Sequence, residues 1–109
     1  HPNKIFDQAA LRRIFFKIKI DGPDQANYLK IFSLVAKKKK MPLNEATLIH
    51  LLKVKYPTID NVYANYQPTF LIDQMIAICE FEGIPYQMTP DLIDRAWANM
   101  FVKDEIIAK

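Results

Sequence analysis

Two adjacent arginines, Arg12 and Arg13, are the residues of this 109-residue chain best equipped for chemistry. A guanidinium is always charged and presents a rigid fork of donors that matches phosphate oxygens. Held at the edge of a subunit, such a group can reach a γ-phosphate bound by a neighbour. There it offsets charge in the transition state of phosphoryl transfer, an effect of about 10³–10⁵ in rate. The plainer reading is a pair of surface arginines that meet a local carboxylate.

Other reactive constellations are missing from the sequence. It has no HExxH, no paired cysteines, no glycine-rich phosphate loop and no GxSxG. Glu80, Glu82, Asp91 and Asp94 are scattered near expected helix ends, with nothing to assign them acid–base roles. His50 has no His or Cys at ligand spacing, so it reads as an ordinary helix residue and no metal site is expected. The single cysteine, Cys79, makes neither a disulfide framework nor a zinc site, and it lies in an apolar run that suggests a buried thiol. One thiol and no apolar run of about 18–20 residues point to a cytoplasmic protein without a membrane partner.

Charge is unevenly distributed. Residues 1–55 hold twelve Lys/Arg against four Asp/Glu, a net +8, while residues 56–109 hold three against eight, a net −5. Such polarity suggests two faces with different partners. A basic half could meet nucleic acid, a reading that is open but not favoured, because no recognition helix stands out and the aromatics fall on core stripes.

Residues must be placed on elements before their chemistry has a direction. Asp7 to Arg13 reads as a short helical turn capped by Asp7. Phe15 to Ile20 then alternates, Phe16, Ile18 and Ile20 on one side and Phe15, Lys17 and Lys19 on the other, which predicts a half-buried strand. Gly22-Pro23 turns into a helix to about Lys38, with Tyr28, Ile31, Phe32 and Val35 as its apolar stripe. Lysines 37–40 suit the negative end of that helix. Asn44 caps a helix whose inner face is Leu48, Leu51, Leu52 and Tyr56, with Leu43 as staple. After a loop rich in Asn and Tyr, Pro68 opens an apolar helix that Gly83 ends in a left-handed cap. Thr89-Pro90-Asp91 starts the last helix, where Trp97 reads as a core anchor. Content is therefore mainly α, with one strand whose backbone needs a sheet that this chain lacks. The sheet lies either in a missing part of the polypeptide, which makes the chain a piece of a larger protein, or in a partner chain, which makes it an interaction module pairing through its exposed strand.

The order of these features resembles the AAA+ ATPases. "IFDQAALRRIFFKIKIDGPDQANYLKIF" is similar to the end of their core and the first helix of their lid. "MPLNEATLIHLL", "QPTFLIDQMIAICEFEG" and "MTPDLIDRAWANMF" resemble the second, third and fourth lid helices. The resemblance implies that residues 1–22 are the tail of an ATPase core and residues 23–109 a C-terminal four-helix lid. Arg13, with Arg12, would be the arginine finger acting in trans on a neighbour's ATP. Ile31 and Val35 would pack near adenine, and Pro68 and Thr69 would border the nucleotide at a helix start. It also implies ATP with Mg²⁺ as the intact protein's cofactor, bound only weakly by this segment, which would not hydrolyse ATP alone. Partners would be the core and neighbouring subunits of a ring oligomer.

Overall fold

The computed structural model describes residues 8–108. Five helices follow one another: α1 (Gln8–Ile18), α2 (Gly22–Lys38), α3 (Glu45–His50), α4 (Gln67–Glu82) and α5 (Pro90–Ala108). There is no strand among the described residues. The protein is mainly α, and none of these helices is long and apolar enough to cross a membrane.

The expected strand Phe15–Ile20 is overturned. Residues 15–18 complete α1, and Lys19 closes it in the left-handed region (φ 58°) with its N–H on the carbonyl oxygen of Phe15 at 3.1 Å. The physical reason is backbone satisfaction. A strand leaves a row of donors and acceptors for a neighbour, whereas a helix pairs them within itself. The same residues also carry a helical stripe. Ile14 and Phe15 pack against the core and Ile18 is buried, while Phe16 turns to solvent. Helix capping by Asp7 lies outside the described residues.

The other helix starts fall as the local chemistry requires. Pro23 occupies the first turn of α2, and Gly22 (φ 87°) supplies the left-handed step that reverses the chain after α1. Asn44 Oδ1 accepts the N–H of Thr47 at 2.9 Å and its hydroxyl at 2.7 Å. Thr89 Oγ1 accepts the N–H of Leu92 at 3.1 Å. Leu48, Leu51, Leu52 and Tyr56 all face the core, but not on one regular helix. Past His50 the chain widens into a π turn (Leu51–Lys55), with the Tyr56 N–H on the Leu51 carbonyl, and then tightens into a 3₁₀ turn (Tyr56–Ile59). Pro57 is the cause: it has no N–H, and its ring would strike the carbonyl of residue 53 in a regular helix.

Two helices end in the same doubly bonded cap. At α4, Gly83 (φ 69°) bonds to Glu80 and the Ile84 N–H reaches Cys79 at 3.0 Å. At α2, Lys40 (φ 61°) bonds to Lys37 and the Met41 N–H reaches Ala36 at 2.8 Å. Met41 and Ala36 are both fully buried, which anchors the exit. Lys40 takes the backbone conformation of a glycine without being one. Lys40→Gly is therefore expected to stabilise the protein by about 0.5–1 kcal/mol, and Gly83→Ala to destabilise it by about 1 kcal/mol. An added Cβ on Gly83 meets nothing within 4 Å, so that loss would be conformational. Urea unfolding of both variants checks this; equal midpoints would contradict it.

Candidate functional site

Tyr56 is the residue around which the helices meet. Its hydroxyl lies 2.8 Å from the Tyr28 hydroxyl and 2.7 Å from Gln67 Oε1, with all three residues buried. Gln67 Oε1 can only accept, so the single Tyr56 proton goes there and Tyr28 supplies the proton of the other bond. The same Gln67 oxygen accepts the Ala64 N–H at 3.0 Å. Burial, first of all, raises the pKa of both Tyr28 and Tyr56 well above the ordinary phenol value, and both stay neutral. The Tyr56 ring meets Trp97 edge-on at 4.8 Å and Tyr63 at 4.6 Å.

Beside this cluster a cleft of about 370 Å³ opens between the first half of α2 and the loop that leads into α4. Tyr28, Ile31, Val62 and Tyr63 supply its apolar surface; Asp24, Asn27, Asn61 and Asn65 supply its polar groups. Tyr63 is held in place by Gln25, whose Nε2 donates to the Tyr63 hydroxyl at 2.9 Å. Gln25 Oε1 accepts from the Asp21 N–H and from Lys53 Nζ, so the loop, the α1–α2 turn and the π turn share one hub. Among the described residues no Lys or Arg lines the cleft. Its amides can hydrogen-bond a flat polar ligand over an aromatic floor, but it has no charge to balance a phosphate.

The residues singled out in the sequence are only partly brought together. Ile31 lies in the cleft. Val35, one turn further along α2, is half-buried against the core. Pro68 is buried in the first turn of α4 and Thr69 is exposed there; neither lines the cleft, although Asn65 just before them does. Arg12 and Arg13 are exposed on α1, do not line the cleft, and have no ion-pair partner among the described residues. Asp24, Asn27, Asn61, Tyr63 and Asn65 were not picked out as a site. The clustering of Asn and Tyr over residues 61–66 was the available signal.

A second polar cluster joins α3, the π turn and α5. His50 Nε2 lies 2.7 Å and Lys55 Nζ 3.2 Å from the same oxygen, Asp94 Oδ1. Lys55 Nζ also stands 5.9 Å from the Trp97 ring centre. Burial pushes the Asp94 carboxyl up, but the bonds from His50 and Lys55 outweigh it and hold the pKa below the usual value. Among the described residues no group of three or more His, Cys, Asp or Glu could hold a metal ion.

The chain belongs to the family DUF8689, a domain of unknown function, which matches residues 24–99. That span begins inside α2 and ends inside α5, leaving α1 outside it. No curated protein and no solved structure matches the chain.

Two outcomes follow from this geometry. Tyr56→Phe removes the acceptor of the buried Tyr28 hydroxyl and one donor to Gln67, and is expected to cost about 1–3 kcal/mol in urea unfolding. A loss below about 0.5 kcal/mol would contradict the hydroxyl chain. Asp94 has a lowered folded-state pKa, so its contribution is present above the unfolded value, about 3.9, and is lost as pH falls through the folded one. Asp94→Asn should flatten the fall in stability below about pH 4, by less than about 1 kcal/mol because the group is half-exposed. An unchanged acid limb would contradict the pairing.

Proposed function

We propose that α2 to α5 form the helical lid of an AAA+ ATPase and that α1 carries its arginine pair. In the intact protein the lid contributes to ATP binding and subunit contact and moves with the nucleotide state. The observation that carries this reading is the position of Ile31. It opens on a cleft whose opposite wall runs directly into Pro68 and Thr69, the helix start that the resemblance places beside the nucleotide. The cleft suits the heterocyclic end of ATP: Ile31 and the tyrosines offer apolar surface, and the asparagines offer donors and acceptors. With Asp24 as the only charged lining residue among those described, the triphosphate and Mg²⁺ belong outside it, against the core. The helix starts at Gly22, Glu45, Gln67 and Pro90 also follow the order of the resemblance.

The helical state of residues 15–18 favours a second reading, a helical module whose basic α1 face binds nucleic acid. In that case affinity would fall steeply with salt. A module that adds an exposed strand to a partner's sheet loses its basis, because that strand is a helix here.

The test of the ATPase reading is genetic and then kinetic. The coding region ahead of His1 is expected to encode a Gly-x-x-x-x-Gly-Lys-[Ser/Thr] loop within one core-domain length. In the intact protein, Arg13→Glu is expected to lower ATP hydrolysis by about 10³-fold or more while ATP still binds. An upstream region without the loop, or full hydrolysis by the variant, would overturn the proposal.

A further inference from the structure

Past its first turn, α2 carries charge of one sign only. Residues 25–44 hold five lysines, Lys30 and Lys37 to Lys40, and no Asp or Glu. The buried face of the helix is Gln25, Tyr28, Leu29, Phe32, Ser33 and Ala36. Lys30, Leu34, Lys37 and Lys38 are exposed, and the helical repeat gathers them into one arc of about 100° on the opposite side. Lys30 and Lys38 stand about 12 Å apart along the axis. Lys40, also exposed, follows directly past the helix end.

The chain neutralises little of this ridge. Asp73 of α4 pairs with Lys39, but Lys30, Lys38 and Lys40 have no ion-pair partner among the described residues. The helix dipole accounts for lysines in the last turn, and its effect falls off within that turn. Lys30 lies about two turns earlier, and Lys40 lies beyond the cap. Lys40 also holds a left-handed backbone (φ 61°) in which glycine is less strained. The fold would be served better by glycine there, so what the lysine adds is its charge.

The partner follows from what the ridge has and lacks. Its ammonium groups are compact point charges, suited to phosphates met without fixed geometry. Leu34 is its one exposed apolar side chain, too little for a bilayer surface, which takes a whole apolar helix face. None of these residues has an aromatic ring on which the bases of a single strand would stack. A duplex, with one negative charge per about 1.7 Å of axis, matches a straight row of cations.

We infer that the α2 ridge (Lys30, Lys38 and Lys40) binds the phosphodiester backbone of duplex nucleic acid without reading its sequence. This goes beyond the ATPase reading. It uses neither the cleft nor the arginine pair, and it stands or falls without them.

Fluorescence anisotropy of the whole chain with labelled DNA duplexes of two unrelated sequences tests it. Both duplexes should bind alike. With about three phosphate contacts, the log–log slope of affinity against salt should be about −3, a loss of about 50-fold between about 50 and 200 mM. Lys40→Gly is the most telling variant. It should unfold at higher urea than wild type yet bind more weakly at low salt, with a slope shallower by about 1. Weaker binding by a more stable protein does not come from unfolding. Lys30→Gln/Lys38→Gln should be shallower by about 2, with circular dichroism showing that the helices are kept. A chain that leaves the duplex unbound at low salt would overturn the inference. So would lysine variants that bind like wild type, or a preference of tenfold or more, roughly 1.4 kcal/mol, for one of the two sequences. Binding lost on Arg12→Gln/Arg13→Gln but kept by the lysine variants would move the contact to α1 and equally overturn it. Capture by phosphatidylserine vesicles without duplex binding would assign the ridge to a lipid surface instead.

Discussion

The structure depends on one phenol hydroxyl that has no water to bond. Tyr56 is fully buried, and its hydroxyl draws Tyr28 of α2 and Gln67 of α4 onto one point while its ring rests on Trp97 of α5. Leaving any of these polar atoms unpaired would cost about 1–3 kcal/mol, so the three segments cannot separate piecemeal. Gln67 extends the constraint into the loop through the Ala64 N–H, and Tyr63 extends it to the α1–α2 turn through Gln25. The wall of the cleft is thus made from the same residues that hold the bundle together. A ligand bound there would press on the junction of three helices, a suitable place for a binding event to alter helix packing.

Tyr56 reaches this position because the helix before it is not regular. Pro57 cannot continue an α-helix, and the chain answers with a wide turn followed by a tight one. The wide turn carries Leu51, Leu52 and Tyr56 inward together. Lys53, on the same turn, stays exposed and bonds the Lys19 carbonyl and Gln25. Short irregular helical segments of this kind are frequent at functional sites, and this one adjoins both the cleft and α1.

What was legible in the sequence was local chemistry. Asn44, Thr89, Pro23, Pro68 and Gly83 mark helix ends through groups within four residues, and each does so here. Cys79 and Trp97 also lie in the core as their apolar neighbours imply. The period of Phe15–Ile20 misled, because a six-residue window fits both an alternating strand and a helix face of Phe15 and Ile18, which Ile14 just before it extends. Whether a neighbouring strand exists decides between them, and six residues do not contain that information. The cleft was illegible for a related reason. Asp24 and Asn27 come together with Asn61 and Asn65 only after α2 packs beside the loop, and their separation along the chain hides it. The His50–Asp94–Lys55 cluster joins residues 44 positions apart and escaped in the same way.

α1 is the element in which sequence pattern and structure part most clearly. As a helix it satisfies its own backbone, buries Ile18 and leaves Arg12, Arg13 and Phe16 exposed. As a strand it would point Phe16 and Ile18 to one side and need a sheet. The account therefore rests most directly on the backbone state of residues 15–20, and Cα and Cβ chemical shifts of the labelled chain report it. The structure predicts helical shifts through Ile18 and a single left-handed residue at Lys19. Extended shifts across Phe15 to Ile20 would contradict it.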